Sequence, residues 1–316
     1  MAARVTGLAR ATPRLLRNET PIVATPESGD KARPDQSAAR IELTRTVTAD
    51  DSRSLIDFLH LHTNLSKQQL KDAALKGAVL LRRAGSARRV RRAKTDLRPG
   101  DRVELHYDRD LLKLRPPVAR CVADRGGYSL WYKPAGLLAQ GTAFGDHCAL
   151  TRQVEQAGEP VRPVWLVHRL DREASGLMLL AHSRPIAANL SRQFQAGSVR
   201  KMYRVQLRGD IASALGGDGE ITQPLDGKPA VTAYHVEHRD PDRQRSTLVV
   251  QIHTGRLHQI RRHFAGIGYP LIGDSRYGTD NKDPDGLRLV AVALTFECPL
   301  QQALVEFRLA PEEVGF

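Results

Sequence analysis

Hydrophobic and polar positions change rhythm along this chain, and the changes predict its elements. Periodicity begins near Thr46. In "SRSLIDFLHLH", Leu55, Phe58, Leu59 and His62 share one helical face, with Ser52 or Ser54 as candidate caps. "SKQQLKDAALKG" predicts a second helix, capped by Ser66 and stopped by Gly77. The short strand "AVLL" follows, and Pro99-Gly100-Asp101 turns into the alternating Val103, Leu105 and Tyr107 of another strand. Together they predict a small α/β module over residues 46–108, preceded by a basic tail and linker (1–45) and followed by a linker (109–127) carrying "RPP" and "RGG".

From Tyr128 to the end, residues 128–316, the pattern is mixed. Strands are predicted at "YSLWYK", "GLMLLAH", "KMYRVQLRG", "VTAYHVEH", "TLVVQIHT", "RLVAVALTFE" and "ALVEFRLA". Helices are predicted at 146–157, 184–196 and 257–266, the second with Ser183 as N-cap and Pro185 in its first turn. Such short spacings favour an α+β fold: a mixed, largely antiparallel, twisted sheet with flanking helices. No internal repeat is visible.

Composition narrows the function. The 48 Lys and Arg against 35 Asp and Glu give a net charge of +13, which suits a polyanionic partner, nucleic acid above all. No apolar run approaches the ~18 residues of a membrane span. Cys121, Cys148 and Cys298 form no CxxC pair, so neither a disulfide framework nor a zinc ribbon is expected. His253, His258 and His263 lack an HExxH pattern or a Cys/His partner set, so no metal is expected. The start "MAARVTGLARATPRLLRN" is Arg-rich and acid-free. It is expected to be a basic tail on a cytoplasmic protein, with a mitochondrial transit peptide as the alternative.

Four stretches carry candidate chemistry. In "VHRLDREASGLMLLA", Asp171 stands just before an apolar strand, on backbone that Gly176 is expected to let turn tightly. A carboxylate so near a core needs a cation or hydrogen bonds, and spacing alone leaves a salt-bridged structural Asp open. A kinase loop does not fit, because Leu170 precedes Asp171 and no glycine-rich loop exists. A glycosidase lacks a second well-placed carboxylate, Glu173 being too local. "NKDPDG" fails as a calcium loop, since Val292 stands where Glu is needed and Pro284 interrupts. In "HTGRLHQIRRHFAGIGYPLIGD", His258, Arg261 and Arg262 are expected to share a helix rim, with Ile260, Phe264 and Ile267 facing inward. Arg256 and the helix start are expected to form an electropositive mouth. "YSLWYKPAGLLAQGT" breaks from strand to loop at Lys133-Pro134, and "VRKMYRV" sets Tyr203 among cations. Apart from these, Arg82, Arg83, Arg88, Arg89, Arg91, Arg92 and Lys94 form a run without an acid, which phosphates of RNA would neutralise.

"HRLDREASGLMLLA" resembles the HRLDxxTSGLLLLA motif of the RluA-type family of RNA pseudouridine synthases. "TGRLHQIRRHFAGIGYPLIGD" is similar to its TGRxHQIRxHL motif and following G-x-P-(I/L)-x-G-D. "YKPAGLLAQG" and "KMYRVQLRG" resemble the NKPAG and KxYxAxVxG segments. The four occur in the family's order over roughly residues 128–309. Ala174, Ala139 and Tyr269 replace the usual Thr, Val and His. Residues 46–108 resemble an S4-like RNA-binding domain, with the arginine run in place of a short VNGK-type turn.

The resemblance implies a cofactor-independent isomerase that turns uridine into pseudouridine in RNA. Asp171 is then the essential aspartate. Arg169 fills the space left by a flipped base, Tyr203 packs on the uracil and is a candidate base, and Arg256 pairs with the catalytic carboxylate. Lys133, His168, His258 and Arg261 become substrate-binding or scaffold candidates. Large-subunit ribosomal RNA is the expected substrate, transfer RNA the alternative, and a monomer the expected state. A non-catalytic RNA- or ribosome-binding factor is the reading from another class.

Overall fold

The computed structural model describes residues 39–158 and 160–316. Most of the expected basic tail therefore lies outside the described residues. Its end does not: Arg40–Thr46 is strand β1, so ordered structure starts earlier than the expected Thr46. Most of its positions are exposed, which leaves little apolar alternation to read. Helices α1 (Leu55–Leu61) and α2 (Lys67–Leu75) follow, then strands β2 (Val79–Arg83), β3 (Ser86–Arg89) and β4 (Arg102–Asp108). The strands form an antiparallel sheet in the order β1-β4-β2-β3. Leu55, Phe58, Leu59, Leu70, Leu81 and Leu105 bury its apolar face against the two helices. Ser66 and Gln69 form a reciprocal capping box that fixes the start of α2.

The expected linker 109–127 is also corrected. Asp108 Oδ1 accepts the backbone N–H groups of Asp110 and Leu111, nucleating the short helix α3 (Arg109–Lys113). Strand β5 (Arg120–Asp124) then pairs with β6 (Tyr128–Lys133) at the edge of a second sheet.

That sheet is the frame of the larger part. It adds α4 (Leu150–Ala157), β7 (Trp165–Leu166), β8 (Ser175–Ala181), α5 (Arg184–Ala196), β9 (Arg200–Arg208) and α6 (Ile211–Leu215). Strands β10 (Asp218–Ile221), β11 (Thr232–Asp240) and β12 (Arg245–Ile252) come next. Helix α7 (Gln259–Gly266) and strands β13 (Leu289–Glu297) and β14 (Leu304–Arg308) complete it. The strand order is β10-β11-β12-β9-β13-β8-β6-β5, with β14 on β13 and β7 on β8. Every named pairing is antiparallel except β8 with β13. The α+β architecture is the expected one. Helix α5 has the expected bounds, held by the Ser183 hydroxyl and by left-handed Gly197.

Alternation along the central strands divides the core between two faces. Met178 and Leu180 of β8 join Tyr203, Val205 and Leu289 on one face, whereas Leu177, Leu179 and Ala181 join Leu190 and Val290 on the other. Gly176 sits inside β8 at φ +112, where a Cβ would lie 2.3 Å from the Ala291 carbonyl oxygen. Its expected role as a turn is corrected: glycine is needed for the close approach of β8 to β13.

Candidate active site

The loop entering β8, the C-terminal end of α5, the start of β9 and the segment leading into α7 enclose a cavity of about 880 Å³. Its wall includes Arg169, Asp171, Phe194, Lys201, Tyr203 and Arg256. The volume is that of a pocket able to take a ligand of nucleotide size. Asp171 projects into it with its side chain 18% exposed.

Arg261 braces this carboxylate. Its Nη1 lies 3.4 Å from Asp171 Oδ2 and 3.5 Å from Glu173 Oε2. Its other edge is held bidentate by Asp274, Nε to Oδ2 at 2.7 Å and Nη2 to Oδ1 at 2.8 Å. The guanidinium is 4% exposed and the Asp274 carboxylate fully buried. Burial opposes the charge on Arg261, but Asp274 and Asp171 outweigh it and hold the group above its ordinary pKa. Asp274 is likewise pushed up by burial but pulled further down by Arg261 and by the Tyr277 and Arg276 N–H groups. One fixed cation therefore faces the cavity carboxylate, with its own counter-charge behind it.

This corrects the expected role of Arg256. Its Nε donates to the Pro229 carbonyl at 2.9 Å, and its backbone N–H to Gln259 Oε1. Both arginines line the cavity, but Arg256 precedes α7, whereas Arg261, in the first turn of the helix, reaches Asp171. The expected rim of His258, Arg261 and Arg262 is also broken up. Arg261 is buried, and Arg262 turns away into a bidentate pair with Asp226. His258 has left-handed backbone at φ +52; its Nδ1 meets the Tyr277 hydroxyl, and its Nε2 lies 3.7 Å from Asp171 Oδ1. Burial lowers its pKa more than Asp171 raises it, which favours the neutral imidazole beside the carboxylate.

Two of the expected substrate contacts have structural partners, although His168 also lines the cavity. Lys133 is fully buried, and its Nζ donates to the carbonyls of Pro134, Leu137 and Arg172. Burial pushes its pKa down to about 7 against the pull of Asp171 and Glu173. It pins the loop that carries Asp171. His168 stacks on Phe194 with ring centroids 4.4 Å apart, and its Nε2 accepts the Leu179 N–H. Burial and the Lys201 charge push its pKa down to about 3, so it stays neutral. Arg169 is exposed at the cavity wall, free to meet a polyanion. Tyr203 lies under the cavity, where burial and the Asp171 charge hold its phenol well above its usual pKa. It therefore keeps its proton, which weighs against its expected role as a base.

The arginine run divides. Arg82 pairs with Glu104, Arg83 bidentately with Asp101, and Arg89 and Arg91 with Asp146. The run is acid-free only in sequence, so the expectation that all these cations await phosphates is corrected. Arg88, Arg92 and Lys94 stay exposed. The brace Asp274 had no assigned role, although the closing Gly-Asp of "GYPLIGD" marked it.

Comparison with known proteins assigns the chain to a family. Residues 127–266 match the RNA pseudouridylate synthase family. An uncharacterized RNA pseudouridine synthase of Aquifex aeolicus is 33% identical over 239 residues, covering 69% of this chain and 74% of the relative. The ribosomal large subunit pseudouridine synthase D of Vibrio vulnificus is 26% identical over 321 residues, 85% of this chain and 91% of that one. Among solved structures, human RNA pseudouridylate synthase domain containing 1 shares the fold with a TM-score of 0.51. It is 22% identical, over 62% of this chain and 86% of that one. Motifs, fold and relatives agree: the chain belongs to the RNA pseudouridine synthase family, isomerases that act on RNA.

Proposed function

We propose that this isomerase converts uridines of large-subunit ribosomal RNA, with Asp171 as the group that acts at the sugar. The observation that carries the reading is Asp171 itself, a cavity carboxylate held by Arg261 and Asp274. The RNA class follows the printed name of the Vibrio vulnificus relative, which aligns with this chain over nearly its full length.

In the reaction the N1–C1′ bond of uridine breaks, the uracil turns, and a C5–C1′ bond forms as C5 loses its proton and N1 gains one. No atoms are gained or lost overall. The base must first leave its stack, at a cost of a few kcal/mol. Arg169, exposed beside the cavity, occupies the gap in the RNA. The extruded uracil packs on Tyr203, with Asp171 at C1′, where carboxylate charge stabilises or captures the electron-poor sugar. Arg261 fixes the orientation of that carboxylate at no cost during the reaction. The S4-like module contacts RNA through Arg88, Arg92 and Lys94, and the protein works as a cytoplasmic monomer.

Two measurements test this. Asp171→Ala should abolish pseudouridine formation while RNA binding survives; normal turnover by the variant would refute the assigned chemistry. Pseudouridine mapping of total RNA from cells with and without the protein should show sites missing from large-subunit ribosomal RNA when the protein is absent. Loss from transfer RNA instead would reassign the substrate.

A further inference from the structure

The pairing of Arg89 and Arg91 with Asp146 joins two parts of the molecule that share no sheet. Asp146 lies in the loop between β6 and α4, and its side chain is 12% exposed. Its backbone N–H donates to the Lys76 carbonyl at the end of α2, 3.0 Å away. Its Oδ2 lies 3.3 Å from Arg89 Nε and also takes the Arg91 guanidinium. Arg89 further donates to the Gly77 carbonyl and, at 2.6 Å, to that of Thr142. Around this knot Phe144 receives the Arg40 guanidinium 3.8 Å above its ring and the His106 edge at 5.4 Å. Lys76 Nζ reaches the Leu112 carbonyl at 2.7 Å.

Two glycines at the contact leave no room for a Cβ. A Cβ on Gly77 would lie 2.5 Å from Asp146 Oδ1, and one on Gly145 2.9 Å from the Lys76 carbonyl oxygen. Gly145 thus allows backbone to meet backbone, while Gly77, at φ +82, makes room for the Asp146 carboxylate. The Asp146 loop springs from the backbone that Lys133 pins beneath Asp171, through Leu138, which exchanges hydrogen bonds with Cys148 and Leu150.

We infer that Asp146 is a positioning residue that locks the N-terminal module onto the catalytic sheet. RNA must then meet the module's exposed cations and the Asp171 cavity in one fixed register. The lock thereby selects RNAs that present the target uridine and a second backbone segment at that separation. The selection rests on the proposed RNA-binding role of the module; the lock itself does not.

The full chain and its Asp146→Ala and Arg89→Ala/Arg91→Ala variants test both parts. In solution scattering and hydrogen exchange without RNA, the wild type should be compact and protected at 76–78 and 142–147. Both variants should expand and lose protection there. Combining all three substitutions should add little further, because partners of one contact are not additive. A wild type that scatters as two tethered bodies, or an Asp146→Ala protein with unchanged protection, overturns the lock. With transcribed large-subunit ribosomal RNA, Asp146→Ala should raise KM about tenfold or more, as fixed geometry gives way to a tether. On a short stem-loop carrying the same uridine, kcat should stay unchanged, because the Lys133 contacts remain. An equal effect on both RNAs overturns the register. Tighter binding by Asp146→Ala would mean that Arg89 and Arg91 are phosphate ligands freed by the change, and overturns it too. If wild type modifies none of this RNA, the ribosomal reading fails, and the scattering and exchange results still decide the lock.

Discussion

Arg261 bridges two carboxylates of opposite accessibility: Asp171, open to the cavity at 3.4 Å, and Asp274, sealed behind it at 2.7 Å. The buried partner fixes the guanidinium, and the guanidinium fixes the carboxylate at which the proposed chemistry occurs. Arg261→Met should therefore cut turnover about 10²–10³-fold. It should also cost about 3–5 kcal/mol of stability, because Asp274 is left charged and unpaired. Steady-state kinetics beside a denaturant titration measures both. Full turnover in a destabilised variant would reduce the pair to scaffolding.

His168 predicts an acid-side stability loss. Its folded pKa is held near about 3, below the ordinary 6.5. As pH falls from about 6.5 towards 3, the unfolded chain takes up this proton and the native chain does not, so stability declines through that window. His168→Gln offers no titrating ring there. The melting temperature of the variant should fall less than that of wild type between about pH 7 and pH 4. Parallel curves would show that His168 takes up its proton equally in both states.

Gly176→Ala should be among the most damaging single-methyl changes available. Its Cβ would meet the Ala291 backbone at 2.3 Å from a φ of +112. Strain and overlap together should cost about 3 kcal/mol or more, read as a lowered denaturation midpoint or loss of soluble protein. A variant of native stability would mean that β8 and β13 can separate without penalty.

The exposed cations of the N-terminal module should act on affinity alone. Arg88→Glu with Arg92→Glu should weaken RNA binding and lower the salt slope by about one for each phosphate that is no longer neutralised. At saturating RNA, kcat should not change. Binding measured across a salt series decides this, and an unchanged slope removes these residues from the interface.

What the sequence disclosed followed from how local each signal was. Helix α5 was readable to the residue because Ser183, Pro185 and Gly197 write its ends into adjacent positions. Strand β6 was equally plain. Strands β1 and β5 were hidden because each lies at a sheet edge and exposes most of its positions. The motif placed Asp171, but the resemblance gave it Arg256 as partner where the structure has Arg261. That choice depends on which way α7 faces, set by Ile260 and Phe264 entering the core. The acids that answer the arginine run stand at Asp101, Glu104 and Asp146, beyond any local window.

The parallel junction of Ser175–Gly176 with Val290–Ala291 also has a consequence for the order of folding. The strand that follows the Asp171 loop is buttressed by one about 115 residues further along, Ser175 lying opposite Val290. Contacts so distant in sequence form late and slowly. Until that pairing forms during folding, the loop that holds Asp171 lacks its finished mount, whatever the rest of the chain has already built.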